Sequence, residues 1–239
     1  MKHVFALLGF VLLCGLGIWQ LERREWKENL LSHIAAQLAQ EPVSLNADLP
    51  GNLDYRRVSV TGQFMPLGEL LMGPRVQNGQ AGWHVLGYFR DVKGRTWLVN
   101  RGWVPYEFPK SREYNERAVD GTEVVLTGIA RKPPVPGRFV PANDLGRGNW
   151  FYYEPEKMFR AVELTSPPLH EQFLRSAVTE WVIEAESAPW QDLGLPVGGI
   201  TKVNLPNNHL QYALTWFSLA GALLAVYLAS CGKTRRRAH

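Results

Sequence analysis

A group of side chains near the carboxyl end of the chain is suited to binding a planar cofactor. Tyr212, Ala213 and Trp216 follow His209 at spacings of three, four and seven residues. On a helix, residues at these spacings share one face. An imidazole above a small alanine and beside flat aromatic rings could serve as the axial ligand of a metal-bearing macrocycle.

The alternative for the same residues is an interfacial role. In a helix that enters a bilayer, His209 can hydrogen-bond lipid headgroups or loop carbonyls, and Tyr212 and Trp216 can form an aromatic belt. Residue types and spacing alone favour this plainer interpretation. The histidines of the middle segment are scattered, and His84, in a predicted strand, is expected to be structural or surface-exposed.

Two apolar runs must position this group. From Val4 to Leu21 there are 18 residues without a charge, and from Leu210 to Ser230 there are 21. At about 1.5 Å of rise per residue, a helix of either length can cross roughly 30 Å of hydrocarbon. The sequence therefore predicts two transmembrane helices. A cleaved signal peptide is the alternative for the first run, but no small-x-small cleavage site follows it, so we expect a retained anchor.

The charge distribution predicts which side of the membrane each segment occupies. Residues 22–208 carry 21 Lys and Arg against 22 Asp and Glu, and the other five basic residues lie in the two tails. This argues against nucleic-acid binding. Short basic segments beside membrane spans mark the cytoplasmic side, so both termini are predicted to be cytoplasmic and the middle segment periplasmic. No presequence rich in Arg and Ser precedes the first run, which favours a bacterial inner-membrane protein.

The middle segment is predicted to be rich in strands, because β-branched and aromatic residues recur in short runs between charged and Pro-rich loops. Asp91 to Gly94 predicts a hairpin turn between two of these runs. The expected fold is α+β, with a mostly antiparallel barrel or sandwich between two membrane helices. The predicted strands are 55–64, 83–89, 96–100, 123–129 and 181–184.

The predicted organisation has four segments. Residues 1–22 form the first transmembrane helix with a short cytoplasmic start, and residues 23–208 form the periplasmic domain, which opens with an amphipathic helix. Residues 209–230 form the second transmembrane helix, and residues 231–239 form a basic cytoplasmic tail.

The segment Trp97–Pro105 is expected to be structural. Trp97, Val99 and Trp103 alternate along the chain, which predicts one face of a strand, while Asn100 and Arg101 can anchor neighbouring loops.

The usual hydrolase signatures are absent from the middle segment. There is no Gly-x-Ser-x-Gly and no His-Glu-x-x-His, and no set of nucleophile, base and oxyanion donors can be named. The two cysteines, Cys14 and Cys231, lie outside the middle segment, which excludes a disulfide framework or zinc-thiolate site there. We therefore expect a protein that is not an enzyme.

Four stretches, spread in order over nearly the whole chain, together resemble the Surfeit-locus-one family, whose members are membrane factors for assembly of haem-copper cytochrome c oxidase. The stretches are LGIWQLER at 16–23 with Trp26-Lys27, YRRVSVTGQF at 55–64, WLVNRGWVP at 97–105 and NHLQYALTWF at 208–217.

The resemblance implies a haem a chaperone with both termini in the cytoplasm. The histidine proposed as a haem a ligand in that family matches His209. On this hypothesis we expect Tyr212 and Trp216 to flank the ring beside Ala213, and Arg23 or Arg24 to pair with the propionates. The implied partners are the catalytic subunit of cytochrome c oxidase, other assembly factors and the lipid bilayer. The alternative is a haem-independent membrane scaffold that stabilises an oxidase assembly intermediate.

Overall fold

The computed structural model describes residues 1–49, 51–110, 121–165, 170–187, 195–199 and 207–236. The chain divides into two units. One contains residues 1–35 and 203–239, and the other contains residues 36–202. Part of the predicted basic tail, 237–239, lies outside the described residues.

The first unit is built from two long helices, α1 (Lys2–Leu38) and the last helix of the chain, His209–Arg236. Each contains a stretch long and apolar enough to cross a membrane, and these stretches are only 6% and 11% buried. A core helix of a soluble protein would be mostly buried. The first apolar run continues without a break into further helix as far as Leu38. The second helix continues six residues past its predicted end at Ser230.

The two helices pack antiparallel. Near one end His3 Nδ1 lies 2.6 Å from the hydroxyl of Tyr227, and a Cβ placed on Gly9 would lie 3.2 Å from Leu223. The small residues Gly221, Ala225 and Ala229 do not form this contact, because all three are exposed and Gly221 has open space beside it.

The second unit is built around a single mixed sheet whose order is β1-β2-β6-β7-β5-β4-β3. An additional pairing of β2 with β4 connects the ends of the β2-β6-β7-β5-β4 series. β1–β2 and β5–β7 are parallel, and the other pairings are antiparallel. The strands are β1 (Val43–Ser44), β2 (Arg56–Phe64), β3 (Leu70–Gln77), β4 (Gln80–Asp91), β5 (Thr96–Pro105), β6 (Glu123–Arg131) and β7 (Ala177–Ser187).

All five predicted strands are present, and most are longer than predicted. The predicted turn is confirmed, because Gly94 N donates to Asp91 O at 2.9 Å and Gly94 has a φ of 81°. The prediction missed β1, β3 and two helices, α2 (Pro155–Thr165) and α3 (His170–Ser176). The last helix of the chain is therefore α4 (His209–Arg236).

Two apolar clusters lie on opposite faces of the central strands. On β5, Trp97 and Val99 belong to one cluster and Leu98 belongs to the other. The second cluster includes Met158 and Phe159 of α2, so that helix covers one face of the sheet. This arrangement explains why β5 is buried on both faces, unlike a strand with one solvated side.

The prediction that Trp103 shares a face with Trp97 and Val99 is wrong. The β4–β5 register shifts between Val85 and Leu86, whose partners are Gly102 and Asn100, so Arg101 is the extra residue of a bulge. An added residue reverses the alternation, and Trp103 therefore lies on the Leu98 face.

Gly102 allows this bulge to form. Its φ is 133°, a conformation that residues with a Cβ rarely adopt. A Cβ there would also lie 2.4 Å from the carbonyl oxygen of Val197. Trp103 continues the pairing beyond the bulge, because its N and O both hydrogen-bond Val197.

Candidate functional site

The four residues of the predicted cofactor group lie in the first two turns of α4, with different exposures. His209 and Trp216 are half-buried, and the Tyr212 side chain is 55% exposed. Ala213 is only 1% exposed. Although alanine is small, Ala213 therefore leaves no open space for a ring plane. Of the four, His209, Tyr212 and Trp216 are accessible to a bound molecule.

His209 has a defined polar partner on the other helix of the pair. Its Nδ1 lies 2.7 Å from Oε1 of Gln20, which is 189 residues away in the chain. A carbonyl oxygen can only accept a hydrogen bond, so in this arrangement Nδ1 carries the ring proton. In the neutral ring, Nε2 then holds a lone pair. Within the described part of the chain, Nε2 has no hydrogen-bond partner.

This arrangement fits a single axial ligand. Histidines that bind metals through one ring nitrogen usually donate the other N–H to a fixed acceptor, which orients the ring. The His209 imidazole has that acceptor, and the exposed Tyr212 ring lies on an adjacent part of the helix surface. No group of three or more His, Cys, Asp or Glu side chains within the described ranges could hold a free metal ion. A haem iron, which brings four ring nitrogens of its own, does not need such a group.

The two arginines proposed for propionate binding already have neighbours in α1. Arg24 Nε donates to Glu28 at 2.7 Å, and the Arg23 guanidinium lies 4.4 Å from the centre of the Trp26 ring. Arg24 is therefore partly neutralised, whereas Arg23 lies over an aromatic ring and forms no ion pair within the described residues. Arg23 is the better candidate to meet an anionic group.

A second polar cluster lies within the sheet unit. Asn100 Nδ2 contacts His84 Nδ1 at 3.1 Å and the Tyr153 hydroxyl at 2.6 Å. The Tyr153 hydroxyl donates to Glu184 at 3.2 Å, and Arg131 lies 3.4 Å from the same carboxylate oxygen. These contacts satisfy polar groups that burial would otherwise penalise, which is a structural role.

Burial is the largest single influence on the pKa values of His84, Tyr153 and Arg131. Burial, together with the smaller effect of the nearby Arg75 guanidinium, lowers the pKa of His84 to about 4. Burial and the Glu184 charge raise the pKa of Tyr153 well above its usual value. Burial alone would lower the pKa of Arg131, but Glu184 raises it above the ordinary value. The histidine and tyrosine are thus neutral at neutral pH.

Gln20 is the one residue of the site that the sequence did not point to. A signal was present, since Gln20 belongs to LGIWQLER and His209 to NHLQYALTWF, two of the four stretches that carried the resemblance. Neither stretch alone indicates that Gln20 contacts His209. A contact between residues so far apart in the chain depends on how the two helices pack.

Comparisons with known proteins cover nearly the whole chain. A family model described as the SURF1 family matches residues 7–221. Surfeit locus protein 1 of Homo sapiens is 34% identical over 226 residues, which is 87% of this chain and 70% of the human protein. A SURF1-like protein of Monosiga brevicollis is 33% identical, covering 90% of this chain and 81% of that protein. A SURF1-like protein of Rickettsia felis is 27% identical over 95% of both chains.

Proposed function

Because the chain belongs to the SURF1 family, we propose that it is a bacterial inner-membrane assembly factor for haem-copper cytochrome c oxidase. In this proposal it binds haem a transiently through His209 and assists its insertion into the main catalytic subunit. It is not an enzyme. The observation that carries the proposal is the His209 ring, bonded at Nδ1 and available at Nε2.

The residues of the helix pair divide the work of binding. His209 supplies the axial nitrogen, while Tyr212 and Trp216 offer ring faces beside it. In this proposal Arg23, which lies over the Trp26 ring in α1, pairs with a carboxylate of the bound group. When bound, haem supplies an iron that accepts the imidazole nitrogen. The protein's own residues hold and orient the bound haem. A single ligand from a half-buried side chain suits a group that must later be released.

Haem content tests this function. Wild-type protein and the His209→Ala variant are purified from a host that makes haem a, and their absorbance spectra are compared at equal protein concentration. We expect His209→Ala to be inserted and abundant but to lack the haem spectrum. His33→Ala is the matched control, because His33 is an exposed histidine of α1. Full haem content in His209→Ala protein contradicts the proposal.

The membrane arrangement is part of the proposal. The two apolar helices are mostly uncovered by protein, and their antiparallel packing returns the chain to the side from which it started. Together with the basic tails, this supports two spans, cytoplasmic termini and a periplasmic sheet domain. A reporter that is active only in the cytoplasm should work when fused after His239 and be silent when fused near Gly121. The reverse result means an inverted topology.

A haem-independent scaffold is the second candidate, and a surface loop favours it. Val135 and Phe139 are 92% and 94% exposed, and Phe139 lies in a turn closed by a hydrogen bond from Val140 N to Gly137 O at 3.0 Å. An exposed aromatic side chain on an ordered turn is suited to anchoring a protein partner.

Co-purification of the oxidase catalytic subunit tests the scaffold. If Phe139→Ser abolishes co-purification and His209→Ala does not, the scaffold function is favoured. Val92→Ser is the control, since Val92 is 54% exposed at a different turn.

A further inference from the structure

The hydrogen bond between Gln20 and His209 has a directional meaning. The Gln20 atom that faces the ring is the carbonyl oxygen, so the ring nitrogen at 2.7 Å must donate. If the amide were turned the other way, its NH2 group would donate to Nδ1 and the neutral ring would carry its proton on Nε2. Only the first arrangement leaves Nε2 able to bind a metal.

We propose that Gln20 is a positioning residue that sets the tautomer of His209 and holds its ring so that Nε2 is the ligating nitrogen. The ligation itself rests on the proposed function. The tautomer does not, since it is a property of the protein without any bound group.

The helix pair explains how Gln20 is held in place. Gly17, one turn before Gln20 in α1, packs directly on the ring of Phe217, two turns beyond His209 in α4. A Cβ at Gly17 would lie 2.5 Å from that ring, so the Phe217 side chain already fills the space beside this glycine. Close packing on one side of the bond limits how far Gln20 can move from His209.

The first experiment reads the tautomer directly. Protein labelled with nitrogen-15 histidine is prepared without haem in lipid nanodiscs, and the His209 signals are identified by their loss in His209→Ala. We expect the wild-type ring to be protonated at Nδ1. Gln20→Met keeps the side-chain length but removes the acceptor, so the His209 ring should become a mixture of the Nδ1–H and Nε2–H tautomers. Gln20→Glu should restore the Nδ1–H form.

The control for this experiment is Gln211→Met, because Gln211 is an exposed glutamine of α4. It should leave the spectrum of His209 unchanged. A wild-type ring protonated at Nε2 overturns the proposal, and so does a Gln20→Met spectrum identical to wild type.

The second experiment uses ferric protoporphyrin IX as the probe. Loss of the residue that orients a metal-binding histidine typically weakens binding about 10- to 100-fold. We expect that loss for Gln20→Met, and affinities near wild type for Gln20→Glu and Gln211→Met. Equal binding by Gln20→Met and wild type, with binding dependent on His209, overturns the positioning role.

The two experiments separate failure of this inference from failure of the proposed function. If the probe does not bind wild-type protein, or binds His209→Ala equally well, haem binding at this site is wrong. The tautomer measurement then decides the role of Gln20 by itself.

Discussion

Gly17 packs so closely on Phe217 that a Cβ atom added to the glycine would lie 2.5 Å from Cε1 of the phenylalanine ring. Gly17→Leu should therefore push the two helices apart. Inserting extra atoms into a tight contact costs about 1–3 kcal/mol. Gly15→Leu should have little effect, because a Cβ at Gly15 has nothing within 4 Å.

Cross-linking at the other end of the pair measures this effect. Cysteines that replace His3 and Tyr227, in a background without Cys14 and Cys231, should be joined efficiently by a short cross-linker. The ring centroids of the native residues are 5.7 Å apart. Gly17→Leu should reduce the yield and Gly15→Leu should not. Equal yields for the two variants mean that the Gly17 contact does not hold the pair together.

Asp91 is expected to be among the most costly residues to remove from the sheet domain. Its carboxylate has no exposed surface and pairs with Arg95 at 2.7 Å, and it accepts the Trp97 indole N–H at 2.9 Å. Asp91→Ala leaves both donors without their partner, and losses of this kind cost about 3–5 kcal/mol. Chemical denaturation of the full chain in micelles, followed by tryptophan fluorescence, measures the difference.

The control for Asp91 is an exposed ion pair of the same domain. Glu180 lies 3.7 Å from Lys132, and both side chains are more than half exposed. Glu180→Ala should lower the free energy of unfolding by about 0–1 kcal/mol. If the two variants lose the same stability, Asp91 has no special role.

Trp103 should stabilise the folded sheet domain through both packing and a hydrogen bond. Its side chain is 5% exposed, and its indole N–H donates to the carbonyl oxygen of Arg75 at 3.2 Å. Trp103→Ala should cost about 3–5 kcal/mol and lower the amount of folded protein. Trp103→Phe keeps most of the volume and should cost less. Normal abundance of Trp103→Ala with failed oxidase assembly would instead indicate a surface that binds a partner.

Stability should fall at mildly acidic pH because of His84. Its pKa is about 4 in the folded protein and about 6.5 when unfolded, so between these values the unfolded chain binds more protons. Stability therefore rises with pH across this window, by at most about 1.4 kcal/mol per pH unit for this one proton. In His84→Gln that contribution should vanish. Parallel pH profiles of unfolding for the variant and wild type would rule out His84 as its source.

Several features of this protein could be predicted from the sequence because their causes are local. The uncharged runs beginning at Val4 and Leu210 predict helices that the structure contains, since the preference of a helix for lipid is a sum over its own residues. The turn from Asp91 to Gly94 was predictable for the same reason. Its conformation, including the positive φ of Gly94, depends on four adjacent residues. The family could also be recognised, as its motifs are short and ordered.

Other features were decided only when distant segments met. The parallel pairing of β5 with β7 joins Thr96 to Ala177, and the bulge at Arg101 reverses the face of Trp103. Neither follows from residue preferences, because a strand's partner and register depend on which surface is buried. The burial of Ala213 and the hydrogen-bond partner of His209 were likewise decided by contacts between distant segments. Local sequence placed His209 on a helix, but which of its nitrogens is available depends on Gln20, brought to it by packing between the two ends of the chain.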